Sequence, residues 1–291
     1  MIALAYWNVQ KGKGKSGIIA NAIADLAETI CVDKTLSGPN QEVLLCLSEP
    51  GKIDFDSILV DLQSRNTGKT WWLKKSFKRF AVLGTLSETE WQPDSLLDEG
   101  SLPSTLVRTT TGIPVNYELW FVHLPAPIFV WQPGPISAEA ARLLRMGIEA
   151  REKRLLHTRS IAIGDFNMEP FSEPMVTPAY LNASSCKTIA ASTFKAVGRG
   201  KQIRYFFNPM WALLGTWKNN RQPGSFYQND KSVSTHWHLI DQVLLRPDLI
   251  DVVHNGTPVI LSSAGSTPLT TSDGAIASVS DHLPVLVTLK I

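Results

Sequence analysis

The stretch SIAIGDFNMEP, residues 160–170, decides how the chain is read. Five small or apolar residues, Ser160 to Gly164, run without interruption into Asp165. A short apolar run closed by glycine and an acid is the pattern of a strand buried on both faces. It delivers Asp165 and Asn167 to the loop at its end, where a rigid scaffold displays reactive groups. The segment SDHLPV, residues 280–285, does the same in reverse: Asp281 and His282 precede the apolar run 284–291.

Outward from these two anchors the same arrangement repeats. Residues 2–9 read as a buried strand ending at Asn8, and residues 42–47 as a second strand ending near Glu49. Residues 117–122 form another, followed by His123, and residues 238–245 a further one containing Asp241. The stretch 71–87 suits a strand pair. A helix is expected after Ser16 as N-cap, because Ile19, Ile23, Leu26, Ala27 and Ile30 recur at spacings of three and four. A second is expected from about 137 to 151, with Ser137 as N-cap and Glu139 in its first turn. Strands outnumber helices and both end segments look like core. One domain over residues 1–291, with its ends tied together, is therefore expected.

Composition sets outer bounds. The chain has 291 residues, 44% of them hydrophobic and 19% charged, enough to bury a sizeable core. No run of 18 apolar residues exists, so no membrane-spanning helix is expected. The N-terminus turns polar too early for a secretory signal. The three cysteines have no metal-type spacing and cannot all pair, which suits a reducing, cytoplasmic compartment. The formal net charge is only +2, yet its distribution is uneven. Residues 62–87 and 174–229 contain no Asp or Glu and carry +13 between them, leaving −11 for the other 209 residues. Such a division favours a basic surface beside an acidic one.

The groups at the strand ends are carboxylates, amides and imidazoles, with no nucleophilic serine or cysteine among them. That set suits a hard cation with oxygen ligands, and acid/base groups that activate water. IAIGDFNMEP (161–170) and SDHLPV (280–285) resemble the two signature motifs of the endonuclease/exonuclease/phosphatase superfamily, the DNase I-like and exonuclease III-like proteins. AYWNVQ (5–10), LLCLSEP (44–50), FVHLPAP (121–127) and LIDQVLL (239–245) resemble its metal-site Asn, Glu, His and buried-Asp segments. Six segments in the family's order cover essentially the whole chain.

The resemblance implies an α+β fold: a four-layer α/β/β/α sandwich with two mostly antiparallel sheets face to face and helices outside. It implies Mg²⁺, with Mn²⁺ as the alternative ion, held by Asn8, Glu49 and Asp281. Asp165 would orient or deprotonate water, and Asn167 would hold the phosphate or Asp165. His282 would contact a phosphoryl oxygen or act as acid/base, paired with Asp241. His123 would be a second phosphate contact or the leaving-group acid. Repair-type relatives carry an acid where Gln10 stands here, which favours one ion over two.

Three further features are weighed. GKGKSG (12–17) lacks the first glycine of a P-loop, since Val9 occupies it, although Lys11, Lys13 and Lys15 remain near Asn8. His236 and His238 offer a zinc pair or, the favoured reading, a surface pair. Aromatic residues interleave with both basic stretches, as in nucleic-acid grooves, although most such rings belong to a core. The function expected is a metal-dependent phosphoesterase, with a nuclease acting on DNA or RNA as the leading form. A phosphatase or phosphodiesterase of small phosphoesters or lipid and inositol headgroups is the alternative. A catalytically silent nucleic-acid-binding module is the third reading. No protein partner is inferable.

Overall fold

Two large sheets organise the chain, each within its own compact unit. The computed structural model describes all residues except 11–15, 38–40, 66, 76, 95–99, 111, 128–132, 193, 198–200, 216–221, 229–235 and 272–278, and the side chains of 16, 37, 110, 192, 194–197 and 201. In chain order the elements that build and cover the sheets are β1 (Ile2–Asn8), α1 (Ser16–Val32), β2 (Glu42–Ser48), α2 (Phe55–Ser64), β3 (Trp72–Lys74) and β4 (Phe80–Gly84). Then come β5 (Trp91–Pro93), β6 (Ser101–Thr110), β7 (Ile113–His123), α3 (Pro135–Leu155) and β8 (Ser160–Asp165). The last are β9 (Ala183–Ser184), β10 (Phe206–Phe207), β11 (Asp241–Leu245), β12 (Val259–Ile260) and β13 (Val285–Leu289).

The first unit comprises residues 1–88, 215–238 and 258–291. Its six-stranded sheet has the order β12-β13-β1-β2-β4-β3, with only β1 and β2 parallel. The first and last strands are neighbours, from Ile2 opposite Leu289 to Tyr6 opposite Val285. The ends of the chain are therefore tied together, as expected. Ala3, Ala5, Trp7, Val43, Leu45 and Leu47 share a core with Ile19, Ile23, Leu26 and Ile30 of α1 and Phe55, Ile58 and Leu62 of α2. Each fully buried aliphatic side chain of this kind stabilises by about 2 kcal/mol. The opposite face of β1, Ile2, Leu4 and Tyr6, is equally buried, so the strand shows no strong alternation of polarity.

The second unit comprises residues 89–214 and 239–257. Its seven-stranded sheet has the order β5-β6-β7-β8-β11-β10-β9, with β7 parallel to β8 and β10 parallel to β9. Helix α3 covers one face through Ala141, Leu144 and Ile148, packed with Trp120, Val122, Ala162 and Leu244.

Three local expectations need correction. Helix α3 starts two residues earlier than expected, with Gly134 as N-cap and Pro135 in its first turn; Ser137 lies inside the helix. Proline at the first helical position suits a site whose N–H has no helical partner. The run 238–245 is not one strand. Trp237–His238 pairs with Phe226–Tyr227, the chain breaks at Leu239 and Ile240, and β11 begins at Asp241. Strand β6, with Pro103 inside SLPSTLVRTT, is unmarked in the sequence because proline argues against strand interiors. It nevertheless pairs with β7 from Ser101–Val122 to Thr110–Ile113. The capping role expected of Ser16, the GKGKSG lysines 11, 13 and 15, and Trp217 lie outside the described residues.

Candidate active site

In the first unit, four of the expected site residues gather at one end of the sheet. Parallel pairing sets Asn8 opposite Ser48, so Asn8 and Glu49 end adjacent strands. Antiparallel pairing of Tyr6 with Val285 brings the segment carrying Asp281 and His282 to the same end. The Ser280 hydroxyl donates to the Asn8 carbonyl at 2.7 Å, and the His282 N–H donates to the Ser280 hydroxyl at 3.1 Å. Gln10 donates its backbone N–H to Asn8 Oδ1 at 3.0 Å and its side-chain amide to Asp281 Oδ2. Gln10 and Glu49 both have positive φ, 46° and 50°. Non-glycine residues held this way cluster at functional sites, where the surrounding structure imposes the strain.

The His282 segment is clamped from two sides. Trp7 Nε1 donates to the His282 carbonyl at 2.8 Å, and Leu283 N–H donates to the Ser225 carbonyl. The Phe226 ring lies 4.8 Å from the imidazole of His282, tilted by 43°. Gly224 permits this packing: a Cβ there would sit 2.5 Å from the His238 carbonyl oxygen. Trp7→Phe strips the buried His282 carbonyl of its indole donor and also shrinks a fully buried ring. A loss of about 1–2 kcal/mol in urea-unfolding stability is expected; an unchanged midpoint would refute the clamp.

In the second unit His123, Asp165 and Asp241 form a row across three strands, with Asn167 in the loop after the middle one. His123 ends β7 opposite Asp165, and Asp165 ends β8 opposite Asp241 at the start of β11. His123 Nε2 lies 3.9 Å from Asp165 Oδ2. Carboxylate oxygens of Asp165 and Asp241 lie within 4.8 Å, with both side chains buried. Asp165 Oδ1 accepts the Asn167 N–H at 2.8 Å, an Asx-turn, and Asn167, with φ of 52°, donates its side-chain amide to the Leu124 carbonyl at 2.8 Å. Asp165 and Asn167 thus form an Asx-turn at the end of β8. Asp241 belongs to this unit and His282 to the other.

The loop after Asp165 is braced by groups that sequence reasoning missed. Gln242 donates to the Met168 carbonyl at 2.6 Å and accepts from Asn208 at 2.7 Å. Buried Glu169 accepts the Leu239 N–H at 3.2 Å, just where the chain breaks before β11. Its signal was a carboxylate two residues past Asn167, inside a run that is otherwise buried.

Two expectations about charge and aromatics change. Within 62–87, Arg65 pairs with Asp25, Glu28 and Asp61, Lys69 with Glu42, Lys74 with Glu88 and Lys75 with Asp56. Acids distant in sequence thus neutralise much of a stretch that has none of its own. Lys187 of the second stretch pairs with Asp251, and the side chains of Lys195, Arg199, Lys201, Lys218 and Arg221 lie outside the described residues. Trp71, Phe80 and Phe206 are core, as expected of most of these rings. His238 is buried rather than on the surface, and His236 Nδ1 lies 3.3 Å from the Gln228 carbonyl.

The three cysteines are free, and burial pushes the Cys31 and Cys46 thiols up, leaving neither poised as a nucleophile. The expected metal donors Asn8, Glu49 and Asp281 offer only oxygen, from one amide and two carboxylates at one end of one sheet. That set fits a hard divalent cation, for which one or two carboxylates suffice. Gln10 puts a neutral amide on Asp281 where a third acid would otherwise stand.

Solved structures bear out the scaffold. An endonuclease/exonuclease/phosphatase family protein from Bacteroides thetaiotaomicron is similar over 98% of this chain and 96% of its own, with a TM-score of 0.55 and 11% identity. Truncated TDP2 from Caenorhabditis elegans is similar over 98% and 95%, at 0.52 and 13%. An AP endonuclease from Archaeoglobus fulgidus is similar over 100% of both chains, at 0.50 and 14%. No protein-family model and no curated protein matches the sequence. The chain has the DNase I-like α+β sandwich fold of the endonuclease/exonuclease/phosphatase superfamily, the fold its motifs resemble.

Proposed function

We propose that this chain is a single-domain, divalent-metal-dependent phosphoester hydrolase whose substrate is DNA or RNA. The observation that carries the reading is the buried row His123–Asp165–Asp241, set on three neighbouring strands and fixed by the Asx-turn to Asn167. Strand ends hold such groups far more rigidly than loops do, as in-line displacement at phosphorus requires.

Each residue then has a task. Asp165 accepts the proton of the attacking water as its oxygen bonds to phosphorus. Asn167 positions Asp165, since its own amide is committed to the Leu124 carbonyl. His282 hydrogen-bonds a phosphoryl oxygen, and Asp241 extends the row beside Asp165. His123 supplies the proton to the departing ester oxygen. Asn8, Glu49 and Asp281 would hold one Mg²⁺, or Mn²⁺, which when bound withdraws charge from the phosphoryl oxygens. The neutral Gln10 argues for a single ion.

Among the described residues no helix is long and apolar enough to cross a membrane. Free cysteines suit a cytoplasmic setting. The similarity to an AP endonuclease supports the nuclease form over hydrolysis of small phosphoesters, and the intact row argues against a silent binding module. The test is Mg²⁺-dependent turnover across plasmid DNA, single strands, RNA and small phosphoesters, with EDTA as control. Cleavage of nucleic acid that EDTA abolishes is expected. Release of phosphate or headgroup from small esters alone would overturn the nuclease form, and binding without turnover would overturn the enzyme.

A further inference from the structure

The loop that leaves β8 after Asp165 is gripped at three places by residues 239–242. The Phe166 N–H donates to the Ile240 carbonyl at 2.9 Å, Glu169 accepts the Leu239 N–H at 3.2 Å, and the Gln242 side-chain amide donates to the Met168 carbonyl at 2.6 Å. The third grip differs from the others because its donor is itself oriented. Gln242 Oε1 accepts from the Asn208 amide at 2.7 Å, and Asn208 Oδ1 accepts the Met210 N–H at 3.0 Å. An amide whose oxygen accepts on one side presents its N–H groups on the other. The Met210 N–H therefore fixes which way Asn208 points, Asn208 fixes Gln242, and Gln242 offers its N–H to Met168. Asn208 and Gln242 are both fully buried.

We propose that Asn208 and Gln242 are positioning residues for the hydrolysis: through the Met168 carbonyl they hold the loop that carries Asp165 and Asn167, and so set where the water-activating carboxylate stands. The inference rests on the phosphoester-hydrolase reading above.

A purely architectural role would not call for amides here. Two apolar side chains of similar volume would fill the same space without the cost of desolvating polar groups. They would supply no donor to the Met168 carbonyl, and the loop would lose the bond that selects one arrangement for it. That carbonyl stands three residues from Asp165. Asn167, between them, is held at a φ of 52°, and its N–H donates to Asp165 Oδ1 at 2.8 Å. A displacement at Met168 thus reaches the carboxylate through a single residue. Misplacing a reacting group by about 1 Å can cost on the order of a hundredfold in rate. The cost falls on kcat rather than KM, because the group that moves activates water and does not bind the ester.

The test uses the full chain with Mg²⁺ and three probes: plasmid DNA, poly(U) and bis(p-nitrophenyl) phosphate. Rates are taken well below the melting temperature of every variant. Gln242→Met keeps the length of the side chain and removes its amide. It is expected to lower kcat at least about tenfold, with KM within about twofold of wild type. Asn208→Ala should lower kcat by about threefold and add nothing to Gln242→Met, because Asn208 acts only through Gln242. In an Asp165→Asn background Gln242→Met should cost less than about twofold, since the group it positions is already gone. Amide hydrogen exchange supplies a readout independent of turnover. The Asn167 N–H should exchange at least about tenfold faster in Gln242→Met, while that of Leu4 in β1 keeps its wild-type rate. Asn208→Ala leaves Gln242 in place and carries the same measurements should Gln242→Met fail to fold. Folded variants that keep kcat, that lose as much in the Asp165→Asn background as outside it, or that leave the Asn167 exchange unchanged would overturn the positioning role while the hydrolase reading stands. If wild type turns over none of the three probes, both fall.

Discussion

Asp165→Asn is expected to lower phosphodiester turnover about a thousandfold, the scale of a positioned general base, without lowering the melting temperature. The two readouts separate chemistry from architecture. Asparagine keeps an oxygen at the place where the Asn167 N–H donates, so the Asx-turn survives. It also replaces one of two buried carboxylates whose oxygens lie within 4.8 Å of each other by a neutral amide. The variant measured in EDTA should therefore melt at the wild-type temperature or above it. Wild-type-like turnover would remove Asp165 from the site. A lower melting temperature would show that the carboxylate is structural.

Gly164→Ala should destabilise by about 4 kcal/mol, at the upper end of what overpacking produces. A Cβ at this position would stand 2.0 Å from the Val122 carbonyl oxygen and 2.7 Å from its nitrogen. Both are backbone atoms of the parallel neighbour strand and have nowhere to move. The φ of 151° adds strain for any L side chain. Urea unfolding measures the loss directly, and a midpoint close to wild type would mean that β7 and β8 do not approach as closely as described. The spacing matters for the site because Val122 and Gly164 immediately precede the His123–Asp165 pair.

Much of this was legible in the residues. Strands β1, β2, β8 and β13 are buried on both faces, so each reads as a short apolar run ended by a polar group, and the ends are where the site residues sit. Helix α1 followed the spacing of its apolar residues, whereas α2 was not anticipated and α3 begins ahead of its expected cap. Elements held by distant partners left no such mark. Strand β6 is exposed to reading only as a polar, proline-containing stretch, and its order comes from pairing with β5 and β7. The break at Leu239 and Ile240 hides inside an apolar run because both residues stay buried while the backbone changes partner. Charge was the most misleading signal. Counting acids along the chain treats residues 62–87 as uniformly basic, yet Asp25, Glu28, Glu42 and Asp56 reach them from elsewhere.

The pairing of β1 with β13 has a consequence for synthesis. Residues 2–8 emerge well before their neighbour, residues 285–289. At 5–20 residues per second the apolar β1 waits roughly ten to fifty seconds for that edge to be covered. Asn8 and Gln10 wait with it, because the hydroxyl of Ser280 and the amide of Gln10 meet their partners only when residues 280 and 281 arrive. A chain lacking residues 280–291 therefore leaves β1 as an open sheet edge, the kind of surface that pairs with other chains.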